Sequence, residues 1–214
     1  MKDVYIVGED PVTQDIIKRL IADYTQHLRV LSNIPARGGQ IKSMMRKFND
    51  LSANYPVILL LDLDANDCAP QLKQQLLQQL QLNPDFIFNV AIEETESWLF
   101  ADKQNFAAYL HINSSLLPNS KEMKMNGPHK VKEIYTEYKP SRMLTHDLAL
   151  KSSDSNIRKQ VGVADANEKC KGNEYNSVIE PFIKDMWNPE EARKASDSLD
   201  RMIKRLQDLD LKCK

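Results

Sequence analysis

An α/β fold built on a parallel sheet is what this sequence predicts, and three observations carry the prediction. Four short apolar runs alternate with amphipathic stretches through the first half of the chain. One run, Val57 to Leu61, has no polar interruption and ends in Asp62-Leu-Asp64; Pro56 and an Ala65-Asn66-Asp67 turn bound it. A strand buried on both faces of a parallel sheet has that character. The composition is that of a globular protein, 42% hydrophobic and 28% charged, which argues against disorder. With 214 residues there is room for one α/β domain with a sizeable core, or for a domain plus a helical elaboration.

The first expected strand is Val4 to Val7, followed by Gly8, Glu9 and Asp10-Pro11. Proline suits the first position of a helix, and aspartate suits the cap before it. Ile16, Ile17, Leu20, Ile21 and Tyr24 then recur at helical spacing. Asp10 reads as the cap, while Glu9 falls at the end of strand one, beside the helix start. Leu28 to Ile34 reads as strand two. The glycines of the Pro35–Gly39 loop make a turn rather than a phosphate cradle, since no lysine-serine or third glycine follows. A helix from about Gln40 to Ala53 carries Ile41, Met44, Met45, Phe48 and Leu51 on one face. Arg37, Lys42, Arg46 and Lys47 lie on or beside the other, either as a solvated face or as phosphate contacts.

Val57 to Leu61 is strand three. Side chains two apart on a strand point the same way, so Asp62 and Asp64 project together from the end where open α/β sheets bind ligands. Carboxylates held so close repel unless a cation sits between them, and a hard divalent ion such as Mg²⁺ is the usual one. The alternative is a strand-end Asp62, with Asp64 or Asp67 capping the next helix. Ala69 to Leu82 reads as a glutamine-rich helix with Leu72, Leu76, Leu77 and Leu80 inward. Phe86 to Ile92 reads as strand four, completing the alternation of a sheet covered on both faces. Glu93, Glu94 and Glu96 then sit at a strand end and helix start; Glu93 and Glu94 read as acids that complement the helix dipole, and Glu96 lies deeper in, two residues before Trp98. Trp98, Leu99 and Phe100 read as core, and Asp102 as the cap of a helix from Lys103 to Leu110.

From His111 to Lys171 the pattern weakens, punctuated by turn signals at Pro118, Asn126-Gly-Pro128 and Lys139-Pro140. Helices are expected from Pro128 to Tyr138 and from Asp154 to Val161. His129 and His146 have no partner at ligand spacing and read as ordinary residues. Tyr135 and Tyr138, among basic residues, either stack on bases or pack. Tyr175 to Trp187 reads as a helix. Asn188-Pro189-Glu190-Glu191 is a helix start, and Ala192, Ala195, Leu199, Ile203 and Leu206 continue one stripe to the end. The division expected is an α/β domain over 1–110 and a helical extension over 111–214 packed on it.

The formal net charge of -1 predicts no partner, but the charge is uneven. Residues 1–120 carry 10 basic and 14 acidic residues, and residues 121–171 carry 11 and 7. A metal site beside a polyanion track needs such a distribution, although it is also an ordinary fluctuation. No apolar run approaches the roughly 18 residues of a membrane span. Cys68, Cys170 and Cys213 form neither a zinc spacing nor a disulfide framework. With no signal-peptide pattern at Met1-Lys2-Asp3, the expectation is a reducing, cytoplasmic setting.

With Gly8-Glu9, Asp62-Leu-Asp64 and the alternation in place, the sequence resembles the Toprim superfamily. That is the catalytic fold of topoisomerases, bacterial primases and nucleases of the overcoming-lysogenization-defect type. Its signature is a glutamate after strand one and Asp-x-Asp after strand three. A closer resemblance is to small stand-alone bacterial Toprim-like proteins, where a strand ends in Arg-Glu-x-Glu-Ala-Trp-Leu-Leu-Ala-Asp. Here the segment is Glu93-Glu94-Thr-Glu96-Ser-Trp98-Leu-Phe-Ala-Asp102, with Glu93 in place of the arginine. The tail is similar too, in Gly172-Asn-Glu-Tyr175, Trp187-Asn-Pro189, Ala192 and Ser196-Asp-Ser198-Leu199.

The resemblance implies a Toprim-like (Rossmann-like) parallel sheet of about four strands, flanked by helices, with a C-terminal helical extension. It implies that Glu9, Asp62 and Asp64 are catalytic and hold Mg²⁺ or Mn²⁺, with Glu94 and Glu96 as further ligands or orienting groups. The basic middle segment, with Lys130, Lys151 and Arg158, is then a track for a nucleic-acid backbone, and Arg37 is a further phosphate candidate. The expected activity is metal-dependent phosphodiester cleavage of DNA or RNA. Some members of the group lie beside ATPase genes in defence-like settings. This implies the alternative of a weakly catalytic or non-catalytic regulatory subunit of an ATPase partner. A receiver-like or phosphatase-like domain using the same aspartates is a third reading.

Overall fold

A computed structural model describes residues 1–36, 39–64, 68–78, 80–124, 130–165 and 174–213. Arg37, Asp67, His129, Cys170 and the Gly172-Asn part of the tail lie outside the described residues, as does the side chain of Lys42. In chain order come β1 (Lys2–Val7), α1 (Pro11–Tyr24), β2 (Leu28–Asn33), α2 (Gly39–Leu51), β3 (Val57–Asp62), α3 (Ala69–Leu77) and β4 (Phe86–Ala91). Then follow α4 (Glu96–Ala101), α5 (Lys103–Tyr109), β5 (Ser120–Lys124), β6 (Lys130–Ile134) and α6 (Pro140–Met143). Last are α7 (Ser155–Gln160), α8 (Tyr175–Pro181), α9 (Pro189–Ala192) and α10 (Asp197–Leu211). Among the described residues no helix is long and apolar enough to cross a membrane. Where the sequence pattern suggested a boundary near residue 110, contacts divide the chain after Ala91. One unit is Met1–Ala91 with Ser198–Lys214, and the other is Ile92–Asp197.

The first unit is a parallel four-stranded sheet in the order β2-β1-β3-β4, flanked by helices, a Rossmann-like arrangement with a helix from the chain's end. The chain steps from β1 outward to β2, then returns past β1 to β3. Right-handed crossovers put the connecting helices of those two steps on opposite faces. All five apolar residues of β3 are buried, as a central strand requires. Asp10 caps α1 as its type and place dictate: Oδ1 accepts from Thr13 N and Thr13 Oγ1, each at 2.8 Å. Ile16, Ile17, Leu20 and Ile21 are the helix's buried stripe. α3 stops at Leu77, short of the expected Leu82, because Gln78 turns left-handed at φ 45° and ends the helical ladder.

α10 buries Leu199, Met202, Ile203, Leu206 and Leu209 at helical spacing. Asn89 Nδ2, buried on β4, donates to Ser198 O at 3.1 Å. At the other end Asp210 Oδ1 accepts from His27 N at 2.7 Å and Gln26 N at 3.1 Å, and Oδ2 meets the His27 ring at 3.1 Å. One carboxylate therefore clamps the last helix to the entry of β2.

The second unit contains a hairpin where a helix was expected. β5 and β6 pair antiparallel, with Glu122 opposite Lys132, Lys121 opposite Glu133 and Met123 opposite Val131. Two opposite-charge pairs across the ladder, with the β-branched Val131 and Ile134 on β6, favour a strand over the helix placed at Pro128–Tyr138, although Lys124 faces Lys130 at one end. The helix expected to run unbroken from Pro189 also stops, at Ala192, and resumes at Asp197. Its start matches the expectation, with Asn188 Oδ1 accepting from Glu190 N and Glu191 N. The break has a tertiary cause. Buried Ser196 donates its hydroxyl to Glu133 Oε2 at 2.5 Å, and Asp197 Oδ2 accepts from Lys132 N at 2.8 Å. Those bonds tie the linker to the hairpin instead of to a helix.

The core of this unit is aromatic: Trp98, Phe100, Phe106, Tyr175, Phe182 and Trp187 are all fully buried. Phe106 and Phe182 meet edge-on with ring centroids 4.8 Å apart. Asp102 precedes α5 but does not cap it with its side chain. It accepts instead from Asn188 N at 2.7 Å and from Asn105 Nδ2. Burial pushes its carboxyl up even against those bonds.

Asp210→Ala is expected to cost about 2 kcal/mol in urea denaturation, since it strands two backbone donors and a ring. Burial alone raises the Asp210 carboxyl, but the His27 ring, His27 N and Gln26 N outweigh it and hold the pKa below the usual value. Its stabilisation is therefore complete above about pH 4 and is lost as pH falls through the depressed folded value. Wild type and variant should converge in stability on acidification. Tyr175→Phe is expected to cost about 1–3 kcal/mol, read as a lowered Tm, because it removes a donor 2.6 Å from the buried Glu96 Oε1.

Candidate functional site

β1 and β3 are neighbours in the sheet, with Val7 opposite Leu59. Between them the strand order reverses, because the chain leaves β1 on one side for β2 and reappears on the other at β3. Crevices at such reversals, outside the carboxyl ends of the strands, are where open α/β sheets bind ligands. Glu9 follows β1 by two residues; Asp62 closes β3, opposite Ala91 of β4, and Asp64 lies just beyond. Leu63 N still donates to Ala91 O at 2.9 Å, which keeps the chain on the sheet past Asp62. Asp64 then turns left-handed at φ 52° and is exposed. Aspartate is among the few residue types that tolerate this region.

The approach to Glu9 is equally constrained. A Cβ on Gly8 lies 2.9 Å from Thr13 Cγ2, closer than packed carbons come, and a tight 3.2 Å from Gln14 Cγ. Thr13 cannot yield without breaking its bonds to Asp10. Glycine thus lets β1 pass tight against the first turn of α1 and presents Glu9 beside it. Gln14 Nε2 donates to Gly8 O at 3.2 Å, and Gln14 Oε1 accepts from Asn33 Nδ2 at 2.7 Å. A line of amides therefore joins the ends of β2 and β1. Sequence reasoning passed over Gln14 and Asn33. The available signal was a polar residue in the first turn of a helix that follows a Gly-Glu strand end.

Among the described residues no group of three or more His, Cys, Asp or Glu is placed to hold a metal ion. Glu9, Asp62 and Asp64 share a sheet edge without forming a closed cage, and each has interactions of its own.

The remaining glutamates belong to the second unit. Glu93 is left-handed at φ 64°, and its Oε2 accepts from Thr136 Oγ1 at 2.6 Å. Glu94, 5% exposed, accepts from Ser141 N at 2.8 Å, and Lys139 Nζ lies 3.2 Å from its other oxygen. Glu96, 1% exposed, takes the Tyr175 hydroxyl. Tyr175 stands in the sequence as a helix start and as part of the similar tail; its pairing with a residue 79 positions away leaves no periodic signal.

The basic candidates are also engaged within their unit. Lys130 Nζ lies 3.5 Å from Glu122, Lys151 Nζ 2.5 Å from Asp147, and Arg158 donates to Ser152 O. They sit on β6, after α6 and on α7, so they are not one helix face. Tyr138 is exposed, whereas the Tyr135 hydroxyl is buried without a partner among the described residues. Burial, with Glu133, Glu93 and Asp197 nearby, pushes Tyr135 up to about 12. The buried Nδ1 of His146 likewise has no partner among the described residues.

No curated protein and no solved structure matches the chain. One family does: that described as "Domain of unknown function (DUF4276)" matches residues 8–207, and the chain belongs to it.

Proposed function

We propose that the protein is a Toprim-type, metal-dependent nuclease that cleaves phosphodiester bonds of DNA or RNA. The direct pairing of β1 with β3 carries this reading, because it brings the ends preceding Glu9 and the Asp62/Asp64 pair next to each other at the strand-order reversal. Carboxylate oxygens are hard donors and suit Mg²⁺ or Mn²⁺. Mg²⁺ commonly takes one or two carboxylates and completes its shell with water and substrate phosphate. A strand-end set without a three-residue cage is compatible with that habit. Asp62 and Asp64 are the residues proposed to hold the ion, with Glu9 as a third ligand or as the group that moves a proton at the scissile phosphate. When bound, the ion polarises the phosphoryl group and acidifies its water. Glu94 and Glu96, satisfied inside the second unit, are read as groups that order their own surroundings. Lys130, Lys151 and Arg158, with Arg37, are the proposed phosphate-backbone contacts; Lys130 and Lys151 exchange their present carboxylates for phosphates on binding.

A second reading is a regulatory subunit of an ATPase with little catalysis of its own. The lack of a preformed three-acid cage among the described residues favours it. Cleavage of plasmid, single-stranded DNA and RNA, each with Mg²⁺ and with Mn²⁺, separates the two. On the nuclease reading Asp62→Ala/Asp64→Ala lowers the rate more than about 100-fold, since loss of outer-shell partners alone costs about 10–100-fold. Undiminished cleavage by that folded variant sinks the metal assignment. A folded wild-type chain inert on all three substrates leaves the regulatory reading standing.

A further inference from the structure

β4 is the outermost strand of its sheet on the side away from β2, and its edge is not bare. The Phe88 carbonyl accepts from Lys73 Nζ of α3 and from Arg205 of α10, both at 2.8 Å. Lys73 Nζ also stands 5.3 Å from the centre of the Phe88 ring. Among the described residues neither cation has a carboxylate partner; Arg205's other bond goes to Asn89 Oδ1 at 3.2 Å. Two cations on one carbonyl oxygen leave most of their charge uncompensated, and water compensates it poorly in a half-buried place. Burial, reinforced by Arg205 and then Arg201, brings the Lys73 ammonium down to about 7.

Beside this pair is a cavity of 320 Å³, large enough for a small organic ligand. Lys73, Arg205 and Lys212 line it with a single acid, Asp208. Leu77, Phe86 and Leu209 supply apolar wall. Lys73, Arg205 and Lys212 against one aspartate give the cavity a positive balance even with Lys73 only part-protonated, a phosphate dianion there favours the charged ammonium, and Arg205 offers the planar fork that suits phosphate oxygens. β4 contributes no titratable side chain here; Arg205 and Arg201 of α10 are the charges that act on Lys73, and Asp208 of α10 and Lys212 just beyond it line the same cavity.

We propose that this cavity binds a small phosphate monoester with a flat apolar body. The phosphate sits among Lys73, Arg205 and Lys212, and the body lies against Leu77, Phe86 and Leu209. The site is at the outer edge of β4, whereas Glu9 and the aspartates follow β1 and β3, so it stands whether or not those carboxylates cleave anything. Phenyl phosphate and inorganic phosphate are the probes, titrated calorimetrically into the full chain. Phenyl phosphate should bind saturably and at least about tenfold more tightly than inorganic phosphate, since burying an aryl ring contributes more than that factor. Lys73→Gln keeps a donor for the Phe88 carbonyl but removes the charge. Lys212→Glu reverses an exposed charge. Each should weaken phenyl phosphate at least about tenfold, with circular dichroism confirming a folded chain. The proposal is overturned by three outcomes: no saturable binding to wild type, equal affinity for the two probes, or undiminished binding by both folded variants.

Discussion

The pairing of β1 directly with β3 is the constraint on which the rest of the first unit depends. A chain that simply added each strand beside the last would leave no reversal and no crevice. Here the second crossover must return past β1, which puts the first two connecting helices on opposite faces and leaves a crevice at the carboxyl ends of β1 and β3. The glycine after β1 and the left-handed aspartate after β3 are local consequences. Each strand must leave the sheet at that lip without closing it.

The second unit is governed by a different term. Glu94, Glu96, Asp102 and Glu133 are all nearly or wholly buried. An isolated carboxylate in such a place costs several kcal/mol, so each must draw a donor toward it. Those donors come from far along the chain: Ser141, Tyr175, Asn188 and Ser196. The acids thus act as organising centres, and the irregular backbone around them follows from satisfying their oxygens.

That difference explains what could be read from the sequence. The sheet was legible because buried strands and amphipathic helices write their periodicity into adjacent residues. Val57–Leu61, the Asp10-Pro11 cap and the Ile16–Ile21 stripe all stand where local pattern puts them. The placement of Glu9 and the aspartates at strand ends was legible for the same reason, whereas the direct pairing of β1 with β3 comes from the crossover and left no local pattern. The pairing of β5 with β6 was not legible, since short charged strands lack an apolar signature. Nor was the break between Ala192 and Asp197 visible: a good helical stripe runs through it, and only the distant Glu133 and Lys132 divert the chain. The cation pair on Phe88 was hidden because Lys73 and Arg205 each look like ordinary surface residues of an amphipathic helix.

Because α10 packs into the first unit while Ile92–Asp197 forms a compact unit of its own, the sheet is interrupted in sequence by everything it does not contain. On the ribosome β1 through β4 emerge early, yet the apolar stripe from Leu199 to Leu209 is made only after the whole second unit. Domains tend to fold as units as the chain emerges, so the later-begun unit can finish first while the sheet waits with its α10-facing surface uncovered. The sheet unit is the first to begin during synthesis and needs the last-made helix to be complete.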